Sequence, residues 1–429
     1  MNDGTRMNGE SRQYPDFQSA PAANQPGPST NPLPTTPREL GHPAPPPPPR
    51  EVPYGAAQAF RTEPRKKRSM LAGLAAFAVL AMGAGGAAGA ATTLAVTGGS
   101  PGTNPVAITS VVQADPSNPN WAATAAAVSD AVVAIQVTGP NGSGEGSGVI
   151  LDGKGNIVTN NHVASGAGAG AQITVFIGNR AYAARVVGAD PSTDLAVIRL
   201  VNPPGNLTSI KFGDSSALKV GDPVMAIGNP LGLSDTVTTG IVSALDRPVT
   251  TKEVSPTVGD SGNGTVVTAA IQTNAAINPG NSGGALVNAS GELIGITSSI
   301  ATLTSNASTQ SGSIGIGFAI PSSQVRSVAD QLIATGTAKH PQLGVSARDV
   351  TDSSQLGAQV AQVVAGSAAE QAGVRVGDIV TAVDGRPVSS SEALVALIRS
   401  SEVGQQVKLT IVRGGSEQTV TVTLQAASQ

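Results

Sequence analysis

The chain contains no cysteine, which excludes disulfides, thiolate metal sites and a cysteine nucleophile. Compartment must therefore be read from targeting signals and not from redox chemistry. Histidine is almost as scarce: His42, His162 and His340 are the only three. A histidine-rich metal site is excluded, and any imidazole chemistry falls on one of those positions. Aromatic residues make up 2% of the chain and the formal net charge is −3. The basic face and stacking platforms that a nucleic-acid partner requires are missing, and no cofactor is expected.

What is present changes sharply along the 429 residues, too many for one ordinary domain. Residues 1–64 hold fifteen of the 31 prolines, including the run Pro45 to Pro49, and few apolar residues that could offset the entropy of ordering. They read as a disordered, proline-rich cytoplasmic tail that contains His42. Residues 65–97 begin with Arg65-Lys66-Lys67-Arg68 and continue through a run, Met70 to Val96, without a charge. That run is long enough to span a bilayer, and basic residues on its N-terminal side alone place everything after it outside the cytoplasm. A cleaved signal peptide is the competing reading, but its basic region would be far longer than usual. Residues 98–120, rich in Gly, Pro, Ser and Asn, read as a linker.

From Trp121 the pattern becomes short apolar runs cut by Gly, Asn-Gly and Asp-Gly: "AVVAIQV", "GSGVILD", "NIVTNNHV", "ITVFI", "AARVVGA", "LAVIRL", "PVMAIG" and "TVTTGIVSAL". Closely spaced strands without intervening helical periods predict a mainly β domain, a barrel or sandwich. The helical pattern "SSQVRSVADQLIATG" closes it at Gly336, giving a domain over 121–336. Residues 340–427 combine short strands with one helical stretch, "SEALVALIRS", and predict a small α/β module.

Gly280-Asn281-Ser282-Gly283-Gly284 satisfies G-x-S-x-G. An α/β-hydrolase would need a long helix after the serine and its acid and histidine later in the chain. Strand, turn and strand follow here, and the only later histidine is His340 at a domain boundary. The chymotrypsin order His, Asp, Ser fits, because His162 and several aspartates precede Ser282 within the β-rich segment. His162 is then the one possible base for a serine nucleophile. Two aspartates compete for the orienting carboxylate. Asp194, at the mouth of the apolar run "LAVIRL", is favoured, and Asp190, before Pro191, reads as a turn former. Gly280 can turn backbone N–H groups inward, so that with the Ser282 N–H it would form an oxyanion hole.

The motifs "IVTNNHV", "DPSTDLAVIRL", "GDPVMAIGNPLGL", "NPGNSGGALVN" and "GIGFAIP" closely resemble the HtrA (DegP-like) family of serine proteases, over roughly Trp121 to the C-terminus. The resemblance implies a trypsin-like double β-barrel followed by one PDZ domain, with His162, Asp194 and Ser282 as the triad. It implies ATP-independent cleavage of unfolded or damaged proteins outside the cytoplasmic membrane, and a homotrimer, with Trp121 as a candidate contact. Ile277 and Ile300 match positions that line the family's S1 pocket, which would favour small apolar P1 residues. Leu343, Gly344 and Val345 in "QLGVSA" match the loop that receives a peptide C-terminus. Arg247 matches an arginine that couples a regulatory loop, here within "PVTTKEVSPTVGDSGNGTVVT", to the PDZ side. One departure is Asn274, where the family usually carries aspartate. The alternative reading is a low-turnover, chaperone-like scaffold that keeps the protease fold and PDZ domain for binding.

Overall fold

Alternation of β-branched and aliphatic residues with small or polar ones decides which face of each strand is buried, and two barrels result. The computed structural model describes residues 106–107, 110–113, 118–230, 236–252, 265–298, 313–350 and 355–427. The run Met70 to Val96 and Ile300 lie outside them. Among the described residues no helix is long and apolar enough to cross a membrane.

Strands β1 (Val132–Gly139), β2 (Gly142–Ile150), β3 (Asn156–Asn160), β4 (Gln172–Ile177), β5 (Arg180–Asp190) and β6 (Leu195–Leu200) close the first barrel in the order β1-β2-β3-β6-β5-β4. Its interior is filled by Val133, Ile135 and Val137 of β1 together with Ile157, Val175 and Ile198. Val132 belongs to a different cluster, as a period of two requires. Strands β7 (Pro223–Gly228), β8 (Thr236–Lys252), β9 (Thr265–Thr273), β10 (Ala285–Asn288), β11 (Leu293–Ser298) and β12 (Gly317–Pro321) close the second, in the order β8-β9-β12-β11-β10-β7. Val224 and Ala226 of β7 fill that barrel, whereas Met225 and Ile227 turn to the cluster shared with Val149, Val158 and Leu195 of the first. The two barrels are thus joined through a common apolar layer, and the loops meeting at its edge can bring distant residues together.

Two helices, the first and third in chain order, flank this layer. Helix α1 (Trp121–Val128) is started by the Asn120 side chain, which accepts from the Ala123 N–H at 3.1 Å. Helix α2 is the short turn Asn161–Ser165. Helix α3 (Ser322–Thr335) buries Val325, Val328, Ala329 and Leu332 at helical spacing against the shared layer. It ends at Gly336 in the left-handed region, whose N–H reaches the Leu332 carbonyl at 3.0 Å.

The C-terminal unit opens with β13 (Pro341–Gln342) and contains β14 (Val345–Asp349), β15 (Ala358–Val363), the turn α4 (Ala368–Gln371), β16 (Ile379–Val383), β17 (Arg386–Pro387) and helix α5 (Ser391–Arg399). It is completed by β18 (Gln406–Arg413), β19 (Ser416–Thr423) and β20 (Gln425–Ala426). The sheet runs β14-β15-β16-β18-β19, with β17 beside β16 and β13 paired to β20. Leu394, Leu397 and Ile398 of α5 pack with Val360, Val380, Leu409 and Ile411, and Val267 and Ala269 of β9 join the same cluster.

The segment that the resemblance assigns to a regulatory loop is in part a hairpin. Pro248–Lys252 continue β8 and pair in register with Thr265–Ala269 of β9. Val249 and Thr250 stand opposite Thr268 and Val267, a β-branched pattern on both strands, and of this segment only residues 253–264 lie outside the description. Helix α1 is likewise absent from the expectation for this domain, whose one predicted helix is α3; its alanine-rich sequence and asparagine cap account for it.

Candidate active site

β5 and β6 form a hairpin whose turn, Pro191 to Asp194, ends with Asp194 at φ +57°. A non-glycine residue in this region carries strain of order 1–2 kcal/mol. Its backbone carbonyl is held from two sides, by the Asn161 N–H and the Asn160 Nδ2, both at 3.0 Å. The carboxylate then points at the α2 turn. Oδ1 accepts from the His162 backbone N–H at 3.0 Å, and Oδ1 and Oδ2 lie 3.0 and 2.9 Å from His162 Nδ1. A carboxylate can only accept, so the proton sits on Nδ1 and the Nε2 lone pair is left to act as a base.

Ser298 Oγ donates to Asp194 Oδ2 at 3.3 Å, which ties the pair to β11. The adjacent Thr297 holds the serine loop: its hydroxyl donates to the Asn281 carbonyl at 2.7 Å, its N–H donates to the Gly284 carbonyl, and its own carbonyl accepts from the Gly283 N–H. From the first barrel, Ser147 donates its backbone N–H to the Ser282 carbonyl at 2.8 Å and its hydroxyl to the Gly280 carbonyl at 2.8 Å. Ser282 is 3% exposed. A side chain at Gly283, where φ is +81°, would run into the Ser147 carbonyl and the Thr159 hydroxyl, so only glycine lets the loop lie this close to the first barrel. Gly280, at φ +93°, stands two residues before the serine.

The structure therefore brings His162, Asp194 and the Ser282 loop to one seam between the barrels. Sequence reasoning did not single out Ser147, Thr297 or Ser298. They resemble any other strand serine or threonine, and only their long-range partners distinguish them. Asn274 uses its Oδ1 to accept from the Ile241 N–H at 2.8 Å, a bond that a carboxylate oxygen would make in the same way. Ile277 is buried among Val224, Ile271 and Leu286 in the second barrel. Arg247 is exposed on β8, and it is the neighbouring Asp246 that meets the C-terminal unit, 3.3 Å from Arg386 Nη1.

In that unit Leu343, Gly344 and Val345 line one end of a groove of about 590 Å³ between β14 and α5, with Leu394 and Ile398 opposite. The Leu343 and Gly344 carbonyls accept from the N–H groups of Ala369 and Val364, both at 2.9 Å, which pins the loop. A bidentate Arg413–Asp378 pair, with Nε–Oδ1 at 2.7 Å and Nη2–Oδ2 at 2.6 Å, ties the end of β18 to the residue before β16.

Residues 146–296 match the family model described as a trypsin-like peptidase domain, and residues 341–424 match that of a PDZ domain. Serine protease PepD of Mycobacterium tuberculosis is 50% identical over 314 residues, covering 71% of this chain and 66% of the relative. Periplasmic serine endoprotease DegP of Escherichia coli is 43% identical over 308 residues, with 68% and 60% covered. The putative serine protease HhoA of Synechocystis is 38% identical over 297 residues, with 65% and 70% covered. The chain thus spans 66% and 60% of the length of the first two relatives, less than two thirds of each. Among solved structures, the HtrA-type protease AlgW with a tripeptide is 34% identical with a TM-score of 0.52, covering 72% of this chain and 98% of that one.

Proposed function

Since the chain belongs to the HtrA family of trypsin-fold serine proteases with a PDZ domain, we propose that it is an ATP-independent serine endoprotease that cleaves unfolded or damaged proteins outside the cytoplasm. The observation that carries this reading is the His162–Asp194 pair joined through β11 to the Ser282 loop. In the proposed reaction Ser282 Oγ attacks the scissile carbonyl while His162 Nε2 takes its proton. Asp194 stabilises the imidazolium that forms, and the same proton then goes to the leaving amine. The N–H groups of Gly280 and Ser282 would stabilise the oxyanion, each contributing about 3 kcal/mol in the transition state.

Ile277 and Ile300 are proposed to shape an apolar S1 pocket, and the loop Leu343-Gly344-Val345 to receive peptide C-termini that add a strand beside β14. Arg247 remains proposed as a coupling residue of the regulatory segment. The uncharged run from Met70 to Val96 supports a single-pass anchor, with residues 1–64 on the cytoplasmic side. Likeness to the family supports a homotrimer, with Trp121, half-buried against the shared core, as one contact.

Cleavage of casein by the chain and by its Ser282→Ala variant tests the central reading. Turnover by the first and none by the second is expected. Equal binding of casein with no cleavage by either would favour the chaperone-like scaffold.

A further inference from the structure

Four residues before the triad aspartate, a second aspartate is fully engaged. Asp190 is 5% exposed, and its carboxylate is the hub of the β5–β6 turn. Ser192 Oγ donates to Oδ1 at 2.8 Å, Thr193 Oγ1 donates to Oδ2, and the Asp190 backbone carbonyl accepts from the Thr193 N–H at 3.3 Å. These bonds close the turn whose last residue is Asp194 in its left-handed conformation. The remaining partner of the carboxylate comes from the start of the PDZ domain: His340 Nε2 lies 2.9 Å from Asp190 Oδ1 and 2.8 Å from Ser192 Oγ. Both acceptors require the proton on Nε2, because Asp190 can only accept and the Ser192 hydroxyl hydrogen is already given to it.

His340 also stands immediately before β13, and the His340 carbonyl accepts from the Ala427 N–H at 2.8 Å, so the imidazole is fixed to the PDZ frame. The same imidazole and Ser192 line the peptide groove beside Leu343 and Val345. A single cluster of side chains therefore touches the groove at one end and sets the turn of the triad aspartate at the other.

We propose that His340 is a positioning residue for the reaction: it anchors Asp190, Asp190 holds the turn, and the turn presents Asp194 to His162. This rests on the reading of His162, Asp194 and Ser282 as catalytic. His340 itself touches no reacting atom, so its loss should change kcat and spare KM.

The test uses the full chain and its His340→Ala, His340→Gln, Asp190→Asn and doubly substituted (His340→Ala with Asp190→Asn) variants, with kcat and KM measured on casein and thermal unfolding followed for each. His340→Ala should lower kcat about tenfold with KM within twofold. His340→Gln, whose amide nitrogen can occupy the Nε2 position, should recover most of that loss. The double variant should be no worse than about twofold below the poorer single, because the two residues act in series. An unchanged kcat in folded His340→Ala, a change confined to KM, or a loss that glutamine does not relieve would overturn the inference alone. A wild-type chain that fails to cleave would overturn the protease reading beneath it.

Discussion

Asp190 and Asp194 lie four residues apart in one turn, yet their surroundings assign them different work. Asp194 faces the imidazole of His162, whereas Asp190 faces inward to hydroxyls and His340. Burial alone would raise the Asp190 pKa, but the bonds from His340, Thr193 and Ser192 outweigh it and hold the carboxyl below its ordinary range. A carboxyl lowered in the fold contributes stability at pH values above its unfolded pKa of about 4, and that contribution is lost as pH falls through the lower folded value. Asp190→Asn should therefore cost about 1–3 kcal/mol at neutral pH, and the difference from wild type should shrink to nothing in strong acid. Urea unfolding from neutral pH down to about pH 2 checks this; a pH-independent difference would contradict it. The sequence favoured Asp194 over Asp190 as the orienting acid, and read Asp190 as a turn former, from their neighbours. It could not show that His340, assigned only to a domain boundary, completes the turn, because that contact joins the protease and PDZ domains across 150 positions of the chain.

At the level of elements, β11 acts as a splint for the serine loop. The Thr297 side chain and backbone both bond to residues 281–284, and Ser298 continues to Asp194. Thr297→Val keeps the shape but removes the hydroxyl bond to the buried Asn281 carbonyl, which keeps the Gly284 N–H as its other donor, a loss of about 1 kcal/mol. A decrease in melting temperature together with a roughly tenfold fall in kcat on casein is expected. Unchanged kcat in the folded variant would show that the loop holds its shape without β11. Most strands of the protease domain were legible because apolar runs such as "LAVIRL" and "PVMAIG" are short and bounded by turn residues. The start of β9 was not, since Thr265 to Thr268 follow a polar, glycine-containing stretch and become a strand only by pairing with the end of β8. Local composition read as loop, and a nonlocal ladder overrode it.

For the whole molecule, the question is what seats the PDZ domain on the second barrel. The Asp246–Arg386 pair has about a third of each side chain exposed, and such pairs contribute about 0–1 kcal/mol. Val267 and Ala269 are 8% and 1% exposed within the cluster that contains Leu394, Leu397 and Ile398, so apolar burial dominates. Val267→Asp should undock the PDZ domain, seen as separate unfolding transitions for the two units, while Arg386→Ala should leave a single transition with a stability change within about 0.5 kcal/mol. Equal effects of the two substitutions would contradict that ranking. This interface was invisible to sequence reasoning: Val267 sits in the segment read as a loop, and Asp246, which meets Arg386, carried no signal of its own. The residues proposed as the triad, by contrast, were legible from histidine scarcity and the His, Asp, Ser order. The most direct measurement is to label the chain with a fluorophosphonate and map the modified residue by mass spectrometry. A serine–phosphorus bond should form at Ser282 with loss of fluoride, and the rate should fall at least a hundredfold in His162→Ala. Labelling at another residue, or at an equal rate without the imidazole, would contradict a Ser282–His162–Asp194 active site.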